Sequence, residues 1–180
     1  HTHEKFLAMG KKLSIGIIRE SKIPPDRRVP LTPLQINNLA LLYPDTRCLV
    51  QKSPIRCFSD EEYRSHGIEL TDDLSGCDIL IGVKEVDRKI LLPGKTYLFF
   101  AHVGKKQEHN REMLDEIVKK RITLIDYEFL TDANGTRVVA FGRFAEEWDS
   151  GPDGHNRGRL STGFDARFSD ADLPSPNTRE

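Results

Sequence analysis

From residue 13 to about residue 145, short apolar runs alternate with stretches whose apolar positions recur every three or four residues. The runs at 13–18, 47–51, 79–83, 96–101 and 122–127 predict strands. Between them, Thr32 predicts a helix N-cap, with Pro33 at the first helical position and Gln35 completing a capping box. Ile36, Leu39, Ala40 and Tyr43 form that helix's apolar face, and Pro44 stops it. Ser59 opens a second helix whose acidic first turn, Asp60, Glu61 and Glu62, suits the positive end of its dipole, and Gly67 ends it. A third helix over 110–120 is expected to bury Met113, Leu114, Ile117 and Val118, with Lys119 and Lys120 at its negative end. Strands alternating with helices in this way predict an α/β fold, a largely parallel sheet with helices on both faces. Asn134-Gly135 ahead of residues 136–140 adds a tight turn into an antiparallel edge strand.

This pattern stops after residue 145. Residues 146–180 are crowded with Gly, Pro, Ser, Asp and Arg and carry only scattered aromatics such as Trp148, Phe164 and Phe168, so a disordered polar tail is expected there. Residues 1–12 are expected to be a flexible leader, and 13–145 one α/β domain. A length of 180 residues with 37% apolar content suits one core and a tail better than two domains.

A formal net charge of -1, with both signs interspersed, supplies no basic face for phosphate, so neither nucleic acid nor an anionic membrane is an expected partner. No apolar run approaches the roughly 18 residues of a membrane span, and the opening residues lack the apolar core of a secretory signal. Cys48, Cys57 and Cys77 are odd in number and have no Cys-x-x-Cys or histidine ligand spacing, which fits the cytoplasm or another reducing compartment and offers no metal site.

Three of the apolar runs stop at groups able to move a proton: 79–83 at Lys84, 97–101 at His102 and 122–127 at Glu128. In open α/β sheets ligands bind beyond the carboxyl ends of the strands, so parallel strands would bring these residues to one edge. Imidazole titrates near neutrality and is the natural acid-base group of the set, whereas a lysine needs burial to lose its proton there. Arg28 lies in a proline-bracketed loop four residues before Thr32, where a guanidinium and helix N–H groups could face one substrate carboxylate. Each residue also has an ordinary reading: Lys84 as a solvated strand-end lysine paired with Glu85, His102 as a satisfied core or surface histidine, Glu128 and Arg28 as loop charges. No Gly-x-Gly-x-x-Gly, Gly-x-Ser-x-Gly, Walker loop or zinc spacing occurs, which removes the common nucleotide-binding, hydrolase and metal motifs.

Taken together, Arg28-Val29-Pro30-Leu31-Thr32-Pro33, Gly82-Val83-Lys84-Glu85, Phe99-Phe100-Ala101-His102 with Lys105, and Leu124-Ile125-Asp126-Tyr127-Glu128 through Val138-Val139-Ala140-Phe141-Gly142 resemble the N-terminal domain of the alanine dehydrogenase and transhydrogenase superfamily. Within it the likeness is nearest to lysine-forming saccharopine dehydrogenases and lysine-ketoglutarate reductases. The resemblance implies a Rossmann-like substrate domain in which Lys84 and His102 handle imine and carbinolamine steps, Glu85 and Glu128 tune their basicity and Arg28 holds a substrate carboxylate. Lys105 resembles a family lysine that pairs with an acid on the other domain. The implied partners are a small amino acid or 2-oxo acid and a separate Rossmann domain. That domain, following residues 141–145 in the family, carries the NAD or NADP site. Here Glu146-Glu147-Trp148-Asp149-Ser150 follows instead, so the chain by itself is expected to bind no nicotinamide cofactor and to be inactive without a cofactor domain. An alanine dehydrogenase-type domain and a catalytically silent carboxylate-binding or regulatory module are the alternatives.

Overall fold

The computed structural model describes residues 12–102 and 108–139. The expected leader up to residue 11, Lys105, and the stretch from residue 140 with the expected tail lie outside the described residues. Strands β1 (Leu13–Ile17), β2 (Thr46–Gln51), β3 (Glu69–Thr71), β4 (Ile79–Ile81), β5 (Thr96–Phe99) and β6 (Thr123–Asp126) form one sheet in the order β3-β2-β1-β4-β5-β6. Every pairing in it is parallel. β1 is central, with Ile15 registered against Cys48 on one side and Ile79 on the other. The chain leaves β1 toward β2 and β3, then returns to its other side as β4. The β1 and β4 carboxyl ends therefore flank a topological switch point, where such sheets place their ligands.

Among the described residues three α-helices cover the sheet, on both faces, as the alternation predicts. Helix α1 (Pro33–Leu42) begins with the expected box: Gln35 N–H donates to Thr32 Oγ1 while the Gln35 side chain accepts from Thr32 N–H. Helix α2 (Asp60–Ser65) has the same reciprocal arrangement between Ser59 and Glu62, and Gly67 at φ +74 lets the chain turn away from it. Ile36 and Tyr63 from these helices pack with Ile15, Ile17, Val50, Ile81 and Tyr127 on one face. On the other face helix α3 (Glu108–Lys119) sets Met113 and Ile117 against Leu80, Tyr97 and Phe99. Gly16 allows this second layer to close on β1, because a Cβ there would lie 2.8 Å from Leu80 Cδ2 and 3.0 Å from Cys77 Sγ.

The structure departs from the periodicity at the element margins. Leu114 and Val118 are 40% and 75% exposed, because α3 meets the sheet along the single Met113–Ile117 line and those two residues sit about 100° around the helix from it. Ala40 and Tyr43 are likewise exposed at the end of α1. The three-residue edge strand β3 has no apolar run to announce it. The expected antiparallel strand is reduced, among the described residues, to one bridge between Thr131 and Arg137. There Asp132 Oδ1 accepts from Asn134 and Thr136 N–H, drawing the segment into a turn with Gly135 at φ +78.

Candidate functional site

The runs that carry Lys84, His102 and Glu128 stop being regular strand before they reach those residues. β4 ends at Ile81, but Gly82 N–H donates to Leu98 O and Phe100 N–H to Val83 O, so pairing continues irregularly to the point where Lys84 leaves the sheet. β5 ends at Phe99, and His102, three residues on, adopts φ +53, a left-handed conformation that an L-residue occupies at a cost of about 1–3 kcal/mol. β6 ends at Asp126 and passes into a short 3₁₀ turn, Tyr127–Phe129, which carries Glu128.

His102 and Glu128 meet, with Nδ1 2.8 Å from Glu128 Oε1. The histidine ring stacks on Phe100 at 6.3 Å between centroids, and Phe100 in turn packs edge-on against buried Tyr127 at 5.1 Å. An ionised carboxylate only accepts, so in this contact the imidazole donates through Nδ1–H.

The loop after β1, which includes a cis Ile23–Pro24 peptide, supplies a second group of charges. Arg28 is clasped by Asp26: Nε donates to Oδ1 at 2.9 Å and Nη2 to Oδ2 at 2.5 Å. Burial, the largest influence on Asp26, pushes its carboxyl up, but the Arg28 hydrogen bonds and the nearby Lys84 charge together hold it below its ordinary value. The same fork raises Arg28 further. Lys84 thus stands beside the Asp26–Arg28 pair. Glu85 turns away from it and accepts from Lys22 Nζ at 2.6 Å, so a Lys84–Glu85 pairing is replaced by Lys22–Glu85. At the start of α1 next to this loop, Pro33 has no N–H and Gln35 N–H is taken by Thr32.

Glu20 joins these two loops. Its Oε1 accepts from Val83 N–H at 2.7 Å and its Oε2 from Lys84 N–H at 3.0 Å, fixing the main chain from which Lys84 projects. Burial raises the Glu20 carboxyl, outweighing the two amide hydrogen bonds that lower it; Asp26 adds a smaller upward push and Arg28 a downward one. A carboxyl raised in the folded state contributes stability below its ordinary 4.5 and loses that contribution as pH climbs through the raised value. A carbon-detected titration of the Glu20 side chain should accordingly give a midpoint above that of an exposed glutamate; a midpoint at or below it would contradict this environment.

Sequence reasoning passed over Glu20, Lys22, Asp26 and Asp126. Two left a readable trace: Glu20 follows β1 as Lys84 follows β4, and Asp126 is an isolated charge in an apolar run. A cleft of about 540 Å3 lies off to one side, lined by Arg19, Lys52, Arg56, Asp60, Glu61 and Arg64 among others. Its cations are already matched by carboxylates, Lys52 by Asp72, Arg56 by Asp60 and Arg64 by Glu61, and it contains neither Lys84 nor His102. Burial pushes the Cys48 thiol up to about 11 and also raises Cys57 and Cys77, which disfavours the thiolate form of each. No group of three potential metal ligands occurs among the described residues, and no helix there is long and apolar enough to cross a membrane.

A six-stranded, all-parallel sheet covered on both faces, with Lys84, His102 and Glu128 just past its strand ends, defines the class, a Rossmann-like α/β domain. Residues 16–147 match the family model described as alanine dehydrogenase/PNT, N-terminal domain, and the chain belongs to that family. It is 38% identical over 149 residues to alpha-aminoadipic semialdehyde synthase of Arabidopsis thaliana, covering 81% of this chain and 14% of that protein. The mitochondrial alpha-aminoadipic semialdehyde synthase of Bos taurus is 41% identical over 134 residues, 74% of this chain and 14% of the relative. The NAD(+), L-lysine-forming saccharopine dehydrogenase of Yarrowia lipolytica is 33% identical over 130 residues, 69% and 35% of the two chains. The chain therefore spans about a seventh of the first two relatives and a third of the last. Among solved structures an L-alanine dehydrogenase superposes with a TM-score of 0.60 at 18% identity, covering 71% of this chain and 36% of that one. The transhydrogenase of Sinorhizobium meliloti gives 0.54 at 17% identity, with 64% and 35% covered. These two likenesses concern the fold.

Proposed function

We propose that this chain is the substrate-binding and acid-base half of an NAD(P)-dependent oxidoreductase acting on an amino-acid CH–NH bond, of the saccharopine dehydrogenase or lysine-ketoglutarate reductase kind. The observation that carries the reading is the His102–Glu128 pair just beyond the carboxyl end of the sheet, with Lys84 leaving the neighbouring strand. The likeness to alpha-aminoadipic semialdehyde synthases and lysine-forming saccharopine dehydrogenases supports this substrate class. In this reading Glu128 holds the imidazole through Nδ1, and Nε2 takes up or delivers the proton that must move when an imine is hydrated or an amine released. The Lys84 ammonium sits beside the reacting nitrogen as a second proton carrier. Arg28 receives a substrate carboxylate, which must displace or share the Asp26 fork that holds it. Lys105 keeps the role the resemblance gives it, a contact to an acid on the cofactor domain.

The residues after β1 do not suit a dinucleotide. Residues 18–32 contain no glycine, the Gln35 amide at the start of α1 is already capped by Thr32, and Glu20 and Asp26 add carboxylates to the loop after β1, where a phosphate cradle needs free N–H groups. The cofactor is assigned to a separate Rossmann domain, and this chain's own chemistry is binding and proton transfer.

The test joins the chain to the remaining domains of the Yarrowia enzyme in place of the matching segment. Oxidation of saccharopine with release of lysine is the expected result; oxidation of L-alanine alone would move the reading to an alanine dehydrogenase-type domain, and turnover of neither would favour a silent carboxylate-binding module. In parallel, calorimetry on the isolated chain should register negligible NAD(H) and NADP(H) binding. Saturable micromolar binding would mean that a nucleotide site exists on this domain.

A further inference from the structure

Asp126 ends β6 and is 6% exposed. Its Oδ1 accepts from two amides that are distant in sequence, Ala101 N–H at 3.3 Å and Glu128 N–H at 3.1 Å. Ala101 immediately precedes His102, so a single oxygen lies within 3.3 Å of the main-chain nitrogens next to the histidine and of its carboxylate partner. Regular pairing between β5 and β6 ends at Phe99 and Asp126, after which the strand ladder no longer holds the two chain ends in register. The aspartate side chain supplies the next tie. Asp126 Oδ2 is buried and finds no hydrogen-bond donor among the described residues, so the carboxylate is not there for its own satisfaction. His102 meanwhile stands in a left-handed backbone conformation, which persists only where the surroundings hold it.

We propose that Asp126 is a positioning residue for the His102–Glu128 pair: by tying the Ala101 and Glu128 amides to one oxygen, it sets the backbone separation at which Nδ1 meets the glutamate and Nε2 is presented to substrate. The proposal deepens the acid-base reading above and rests on it for its consequence in turnover, while its geometry can be read without any cofactor domain. It places the requirement on an acceptor oxygen at this position. An asparagine keeps that oxygen; an alanine does not.

The experiment uses the full chain and nuclear magnetic resonance of the imidazole nitrogens in the parent, Asp126→Ala and Asp126→Asn proteins, with His66, exposed and bonded locally to Glu62 O, as internal control. The Nδ1–H proton signal of His102 is expected in the parent, lost in Asp126→Ala and retained in Asp126→Asn, with His66 unchanged throughout. A purely structural role would lower the unfolding midpoint and leave the His102 signals of the folded protein as in the parent. That result, or loss of the signal in Asp126→Asn as in Asp126→Ala, overturns the proposal. Should Asp126→Ala not fold, the parent carries the test through scalar couplings across hydrogen bonds from the Ala101 and Glu128 amide nitrogens to the Asp126 carboxyl carbon. Both couplings are expected, and absence of either sinks the idea. Because none of these readouts involves turnover, a failure here is distinct from an inactive chimera.

Discussion

Replacing His102 with alanine in the active chimera should lower kcat roughly 10²-fold or more, about 3 kcal/mol of transition-state stabilisation, with a much smaller change in KM. The reason is the arrangement at the strand end. Glu128 fixes Nδ1 at 2.8 Å and Phe100 stacks on the ring, so under the proposed function the histidine acts in proton transfer rather than in binding. An Arg28→Ala change makes the contrast, because a lost carboxylate anchor should raise KM and leave kcat closer to the parent. Full activity in His102→Ala would return the histidine to the reading of a satisfied surface side chain.

The second large effect is on stability. Phe99→Ala should cost about 3–5 kcal/mol, read as a lower urea midpoint with the slope unchanged. Phe99 is fully buried, meets Tyr97 edge-on at 6.1 Å and shares its cluster with Ala101, Met113 and Ile117. Truncation leaves a cavity between β5 and α3 that a parallel sheet, tied on both edges of that strand by β4 and β6, cannot readily collapse. With a total stability of about 5–15 kcal/mol for a domain of this kind, the loss is a large fraction of the whole. Phe99 is also the last regular residue before His102, so folded Phe99→Ala protein should show a displaced His102 resonance. A loss of stability under about 1 kcal/mol would mean the site repacks, contrary to the close packing seen around it.

The likeness of residues 16–147 to the alanine dehydrogenase/PNT N-terminal domain was legible because its motifs sit where local rules operate. Thr32-Pro33-x-Gln35 and Ser59-x-x-Glu62 are complete within four residues, and both capping boxes form as written. Apolar runs at β1, β4, β5 and β6 have few alternatives when helices cover both faces. Those runs also indicated which ends carry Lys84, His102 and Glu128, since a strand's direction in a parallel sheet settles which edge its last residue reaches.

Other features depended on neighbours far away in the chain. Whether Glu85 pairs with Lys84 or Lys22, and whether Arg28 faces solvent or Asp26, is decided by how the β1 and β4 loops meet at the switch point. Glu20 matters because two amides 63 and 64 residues away lack other acceptors once β4 ends. The exposure of Leu114 and Val118 follows from the line along which α3 touches the sheet, which periodicity alone does not contain. By itself the sequence determined the α/β class, the helix starts and the strand ends from which Lys84, His102 and Glu128 depart, since these follow from patterns within a few residues. Only the tertiary structure decided which charge faces which, because burial and hydrogen-bond partners are properties of the assembled strand ends and not of any one of them.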